Sequence, residues 1–213
     1  FRMLWMIIRY GLPSGIQNSI IALANVVVQS NINHFGDMAV AGCGAYSKLE
    51  GFAFLPMTSF TAAISTFVGQ NVGAKENERA KKGARFGVGV SMAIAEVIGV
   101  LFFVFAPYLI MAFTRDADAV QYGVDKARVC SLFYCLLAAS HSFSAVLRGA
   151  GKAMVPMLTM LSFWCVVRVG FLMVVVPLTE SIAAVNWVYP LTWSLSTVAL
   201  LIYYLNADWL GEK

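Results

Sequence analysis

The chain has 213 residues, of which 60% are hydrophobic and 12% are charged, and its formal net charge is +4. Its mean hydropathy is +0.75. A water-soluble domain of this composition would expose far too much apolar surface, so the composition excludes one and indicates a protein of the lipid bilayer.

Six apolar stretches follow one another, and each has about the 20 residues that a helix needs to cross a bilayer core. They lack the strict alternation of barrel strands, whereas a helix satisfies its own backbone groups in lipid. The sequence therefore predicts an all-α polytopic membrane protein in which residues 1–213 form a single six-helix unit. The predicted spans are residues 12–33, 42–68, 83–110, 127–147, 154–176 and 182–205.

The first span carries a line of amide side chains. Its members, Asn18, Asn25, Gln29 and Asn33, are separated by seven, four and four residues, which places them on one helical face. An amide that faced lipid would leave its donors and acceptors unmet at a cost of several kcal/mol. This face therefore contacts either another helix, through hydrogen bonds, or a hydrated pathway. In the second case Asn18, Asn25 and Gln29 are candidates for contact with a substrate or an ion.

Charged side chains inside the predicted spans are few, and each is a functional candidate because a lone charge in hydrocarbon is costly. They are Lys48, Glu50, Glu96 and Arg168. Glu50, which precedes a bend expected at Pro56, is a candidate for proton exchange, although its carboxylate could instead reach the membrane interface. Arg168 lies in the middle of a span and needs a counter-charge, a carbonyl group or water. His141, within Ser140-His141-Ser142, is either a packing residue or part of the pathway.

The third span has a small residue at every fourth position. These residues are Gly83, Gly87, Ser91, Ala95 and Gly99. Such a stripe allows the backbone of another helix to approach closely. It predicts either a static packing surface or a surface along which a helix slides.

The basic residues indicate the orientation of the spans. One side of the membrane receives ten Lys or Arg residues, and the other side receives Arg115, Lys126 and Arg128. Since cytoplasmic connections carry the excess of basic residues, we expect both ends of this segment to be cytoplasmic and the protein to lie in the cell membrane.

Motifs for catalysis or for metal binding are missing from the sequence. There is no HExxH, Walker or GxSxG motif, so we expect no enzymatic activity. The four cysteines include no CxxC pair, and whether any metal binds is not indicated.

Several segments resemble the multidrug and toxic compound extrusion (MATE) family, in order over all six spans. They are Gly11-Leu12-Pro13-Ser14 at the start of a span, Gly69-Gln70-Asn71-Val72-Gly73-Ala74 at the end of the next, the basic run from Arg79, and Leu147-Arg148-Gly149-Ala150-Gly151-Lys152 followed by Pro156. The opening segment is most similar to that of the C-terminal lobe.

The resemblance implies a protein of twelve helices in two lobes around a central cavity, with an N-terminal lobe as the partner of this one. It also implies export of drugs or other cationic or amphipathic compounds in exchange for sodium ions or protons, with no other cofactor. Many members have an acidic residue early in the first helix of this lobe, where this chain has Gln17-Asn18-Ser19. Coupling of export to the cation could therefore reside in the N-terminal lobe. The aromatic residues Tyr134, Trp187, Tyr189 and Trp193 are candidates for contact with a cationic drug through their ring faces, although the same residues could equally form interfacial belts.

Two alternative functions remain open. A flippase for lipid-linked oligosaccharides has similar helices but needs a more basic cavity, for which the sequence offers Lys48 and Arg168. A half-length membrane protein that no longer transports is the other alternative.

Overall fold

The structure, a computed structural model, describes residues 2–210, with the side chains of residue 8 and of residues 11–210. The regular structure of this range is helical. The helices are α1 (Arg2–Asn33), α2 (Asp37–Gly73), α3 (Asn77–Met111), α4 (Ala117–Ser131), α5 (Tyr134–Gly149), α6 (Met154–Met160), a π-helical segment (Leu161–Val167), α7 (Arg168–Thr179) and α8 (Ile182–Asn206).

Five continuous helical segments are long and apolar enough to cross a membrane. They are Gly11–Asn33, Asp37–Gly73, Asn77–Met111, Met154–Thr179 and Ile182–Asn206. Helices α4 and α5 together pass the same test as a pair bent by 56°, and counting this pair as one span gives six crossings in the described residues. The predicted all-α membrane fold with six spans is confirmed, and the helices extend beyond most of the predicted span limits.

The fourth crossing differs most from the sequence prediction. Its first helix begins at Ala117, where the Asp116 side chain accepts hydrogen bonds from the N–H groups of Asp118 and Ala119 (3.0 and 3.4 Å). The prediction began this span at residue 127 and counted Lys126 among the residues of a connection. The structure instead buries Lys126 inside the helix, with 2% of its surface exposed. A charged residue lowers local hydropathy, and hydropathy alone therefore ends the span too early.

The bend between α4 and α5 interrupts the helical hydrogen bonds. One of the N–H groups near the start of α5, that of Cys135, donates to the Glu96 carboxylate of α3 (3.1 Å). A carboxylate is a strong acceptor for a backbone N–H group at a helix start, where the preceding turn offers no carbonyl partner. Glu96 thus has a structural role at the bend.

A π-helical segment lies between α6 and α7. Residues 161–167 are wound as a π-helix between α6 and α7, so the fifth crossing is one continuous helix of mixed winding. π-Helical turns are rare and occur frequently at functional sites. Here the turn contains Trp164 and immediately precedes Arg168, and both side chains are buried.

The small-residue stripe of α3 lies against other helices of the same unit. A Cβ atom on Gly83 or Gly87 would collide with Phe67 or Ile64 of α2, respectively. A Cβ atom on Gly99 would collide with the Ser131 carbonyl oxygen at the α4–α5 bend. Ser91 and Ala95, between them, are buried. The stripe therefore allows α3 to pack closely within the unit.

We expect Gly99→Ala to destabilise the protein, because its methyl group would push against the backbone at Ser131, which cannot move as a flexible side chain could. Overpacking of this kind costs about 1–3 kcal/mol. Gly89→Ala is the matched control on the same helix, since nothing lies within 4 Å of its added Cβ. Thermal unfolding of the full-length protein in detergent should show a lower midpoint for Gly99→Ala only. Equal midpoints for the two variants would contradict the close approach.

Candidate functional site

Charged and aromatic side chains from five helices meet inside the unit. We call them the two-cation cluster; its members are Tyr46 and Glu50 of α2, Lys126 of α4, Tyr134 of α5, Arg168 of α7 and Tyr189 of α8. Tyr46 and Tyr134 also belong to an apolar core cluster with Trp164 and Trp193. The charges therefore sit in a packed, mostly apolar interior.

Lys126 is held by the faces of aromatic rings. Its Nζ atom lies 4.9 Å from the ring centroid of Tyr189 and 5.5 Å from that of Tyr46. In the part of the chain that the structure describes, no carboxylate oxygen lies within 4.0 Å of this ammonium. A desolvated cation gains about 2 kcal/mol from a ring face, whereas its burial costs several kcal/mol. The two rings therefore offset a substantial share of the cost, and the electrostatic attraction to Glu50 adds to it.

Arg168 shares one of these rings. Its Cζ atom lies 4.7 Å from the ring centroid of Tyr189 and 5.1 Å from that of Trp164. Its Nη2 donates to Thr192 Oγ1 (2.8 Å), while its Nε is buried without a hydrogen-bond partner. Arg168 as a whole is 2% exposed, so water has little access to that donor. Arg168 thus keeps unused hydrogen-bonding capacity inside the unit.

Glu50 is the carboxyl group of the cluster. Its Oε1 accepts a hydrogen bond from Tyr46 Oη (2.9 Å), and Tyr46 Oη lies 3.0 Å from Tyr134 Oη. Glu50 interacts electrostatically with both Lys126 and Arg168, although neither forms an ion pair with it in the described structure. One carboxyl group therefore faces two cations.

His141 lies at the margin of the cluster. Its ring makes edge contacts with Trp164 and Phe54, at centroid distances of 5.4 and 6.0 Å. Its Nε2 is buried without a hydrogen-bond partner. Three of the predicted site residues, Glu50, Arg168 and His141, are thus brought together, the last through Trp164.

The predicted amide residues of α1 do not join this cluster. Asn18, Asn25 and Gln29 are exposed on the outside of the unit, and Gln29 Nε2 donates to the exposed Asn33 Oδ1 (2.9 Å). Their neighbour Gln17 instead points inward and donates to Met160 Sδ (2.8 Å). The amide face is therefore a surface of the unit, available to a neighbouring helix or to a hydrated cavity.

The predicted aromatic residues are divided in the same way. Tyr134 and Trp193 are buried and Tyr189 belongs to the cluster, whereas Trp187 is half exposed and contacts Phe133. The Tyr189 ring already interacts with two cations of the chain itself. This occupation argues against the prediction that Tyr189 receives a cationic drug in this state of the protein.

The described residues contain no group of three or more His, Cys, Asp or Glu side chains that could hold a metal ion. Larger surface cavities lie near the helix ends, away from the cluster. One of about 640 Å³ is lined by residues that include Asn31, His34 and Glu180. Another, of about 590 Å³, is lined by residues that include Asp37, Asp118 and Asp125.

Comparison with known proteins identifies the family. The family model MatE matches residues 13–174. The chain belongs to the MatE family. The matched region contains five of the six residues of the two-cation cluster, and Tyr189 lies beyond it.

The most similar relatives and structures agree with this assignment. The chain is 28% identical over 160 residues to the probable multidrug resistance protein YpnP of Bacillus subtilis, covering 75% of this chain and 36% of that protein. It is 26% identical over 205 residues to the probable multidrug resistance protein YoeA of the same organism, covering 95% and 44%. A MOP superfamily transporter from Pyrococcus furiosus has the same fold, with a TM-score of 0.87 and 18% identity over 95% of this chain and 45% of that one. The chain spans less than half the length of each.

Two of the segments that resemble the MatE family contact each other in the structure. A Cβ atom on Gly69, at the end of α2, would lie 3.3 Å from the Gly149 carbonyl oxygen at the end of α5. The Gly151 backbone, with φ of 80°, then turns the chain towards α6, a conformation that glycine adopts readily. These glycines therefore allow a close approach of two helix ends.

We expect Thr192→Val to destabilise this MatE protein, since the variant keeps the shape of the side chain but removes the oxygen that accepts from Arg168. A buried polar group left without its partner costs about 1–3 kcal/mol. Thr159→Val is the control, because the Thr159 hydroxyl bonds only to Val155 of its own helix. Thermal unfolding of the full-length protein measures the difference. A midpoint for Thr192→Val equal to that of Thr159→Val would show that the Arg168 contact contributes nothing.

Proposed function

We propose that this chain forms the C-terminal six-helix lobe of an exporter of small organic compounds in the cytoplasmic membrane. The observation that carries the proposal is the MatE match over residues 13–174, which extend from the first crossing to the fifth, in a chain that spans less than half of each relative. These two longer relatives are named probable multidrug resistance proteins. A second lobe of similar length would complete the protein.

The exposed amide face of α1 supports this arrangement. Asn18, Asn25 and Gln29 would face the cavity between the two lobes, where water and substrate satisfy their hydrogen bonds. Rocking of one lobe against the other would then present this face alternately to each side of the membrane.

We propose further that export is driven by sodium ions or protons and that the coupling cation binds in the N-terminal lobe. Two fixed cations already accompany Glu50, the carboxyl group of this cluster. A third, mobile cation would be repelled there, since like charges at close range in a medium of low dielectric constant interact strongly.

One observation favours the flippase alternative. The sequence offered Lys48 and Arg168 for a basic cavity, but the structure adds the buried Lys126 and leaves Lys48 exposed. The Pyrococcus furiosus transporter is itself described by a binding pocket of reversed polarity and a different function. The fold and the family name alone therefore do not decide which compound is carried.

The proposed orientation predicts the labelling of single cysteines placed near the start of α3 and near the start of α4. In the full-length protein in cells, Glu78→Cys should react with a membrane-impermeant thiol reagent only from the cytoplasmic side, and Asp118→Cys only from the outside. Both positions are exposed in the structure, and the parent protein provides the background reactivity. Labelling of both positions from one side would overturn the six-crossing orientation.

The proposed pathway predicts a transport defect for Asn25→Ala. In proteoliposomes containing the full-length protein, dye efflux driven by an imposed sodium or proton gradient should fall by roughly tenfold, the effect of about 1.4 kcal/mol. Asn31→Ala is the control, since that amide bonds to Val27 of its own helix. Unchanged efflux for Asn25→Ala would remove the amide face from the pathway. If neither gradient drives efflux by the parent protein, the proposed coupling is wrong.

A further inference from the structure

The charges of the two-cation cluster do not balance. Arginine stays protonated in proteins, and Lys126 adds a second cation against the single carboxyl group of Glu50. The carboxylate is shared between both cations without an ion pair to either in the described structure. The neighbouring His141 and the tyrosine hydroxyl groups add no negative charge when neutral. The cluster is therefore positive within a packed, mostly apolar interior.

The partners that the chain supplies to these cations are weak. Ring faces of Tyr46, Tyr189 and Trp164 and one hydroxyl group meet the two cations. Arg168 Nε has no partner although it is buried. A guanidinium and an ammonium that contact one ring, together with a buried donor that has no partner, are suited to an oxyanion.

A cation is a poor ligand for the same place. The Tyr189 ring, which could receive it, already contacts both Lys126 and Arg168. An incoming positive charge would also be repelled by both. The sign of the charge thus separates the two classes of ligand.

We propose that the two-cation cluster binds the carboxylate or phosphate group of an anionic compound, which is the transported substrate if the proposed function holds. Lys126 supplies a point charge, Arg168 supplies a charge and the Nε donor, and Glu50 keeps the affinity low enough for release. Movement of the lobes admits the compound to the cluster.

The test measures binding to the purified full-length protein in detergent by titration calorimetry, with three aromatic probes. Benzoate and phenyl phosphate carry the proposed group, and benzamidine carries the opposite charge. We expect the two anions to bind and benzamidine to show no saturable binding. Absence of saturable binding by both anions overturns the proposal.

Variants that remove either a positive or a negative charge from the cluster make the test more specific. Lys126→Met should weaken the binding of benzoate by about tenfold or more, since truncating one partner of a buried charge contact has at least this effect, and Lys126→Arg should restore most of it. Glu50→Gln should strengthen benzoate binding, a gain that misfolding cannot produce. Lys48→Met is the control, because Lys48 lies on α2 near Glu50 but is exposed. The affinity of this variant for benzoate should match that of the parent protein. Weaker benzoate binding in Glu50→Gln, or an equal loss in Lys48→Met, overturns the proposal.

The anionic group has two sources, a soluble compound or a lipid headgroup. Benzoate binding is therefore repeated in nanodiscs of phosphatidylcholine and of phosphatidylglycerol. Competition by phosphatidylglycerol that disappears in Lys126→Met supports a lipid headgroup as the natural ligand, and equal affinity in both lipids supports a soluble anion. Loss of benzoate binding in both types of nanodisc shows that only detergent exposes the cluster, and it overturns the site.

These measurements do not depend on transport. If the variants change benzoate affinity in the expected directions but the protein exports nothing, the proposed function is refuted and the proposed anion site is supported. Efflux of cationic dyes by a protein that binds neither anion would refute the site and leave the proposed function.

Discussion

Burial of positive charge is the constraint on which the interior of this protein depends. Each cation taken out of water needs partners, and here one ring, that of Tyr189, lies against both Lys126 and Arg168. Because these three residues belong to α4, α7 and α8, the ring links the middle of the unit to its last helices. A loss of this ring would leave two buried charges short of a partner at once. The packing of these three helices therefore depends on how the two buried cations are stabilised.

The unit also separates two polar environments. Inside, charged side chains are surrounded by aromatic rings; outside, the amides of α1 are exposed beside large apolar residues such as Leu23 and Val26. Gln17 of α1 is buried and bonded to Met160, whereas Asn18 beside it is exposed. Helix α1 therefore contacts the interior through Gln17 and presents its other amides to the outside of the unit. In a two-lobe transporter this position is where a movement between lobes would reach the interior.

Much of the architecture could be predicted because it depends on local composition. Apolar runs of sufficient length predicted the six crossings, and the segments around Gly69 and Gly149 predicted the family. Glu50 and Arg168 were found because a charge inside an apolar run is conspicuous. Lys126 was missed for the opposite reason: it lies in a weakly apolar helix, and its aromatic partners come from α2 and α8, which are distant in sequence. The amide face was predicted as a face, but only the packing of the helices shows that it points outward.

The π-helical turn before Arg168 has a mechanical consequence. Successive residues of an α-helix are related by a rotation of about 100°, at 3.6 residues per turn, and a π-helical turn contains an extra residue. If residues 161–167 rewound as an α-helix, everything after them would rotate about the helix axis. The Cα–Cβ direction of Arg168, whose side chain now contacts the Tyr189 ring, would rotate with the helix, whereas Lys126 belongs to a separate helix. The winding of these seven residues therefore sets the direction in which the Arg168 side chain leaves the helix.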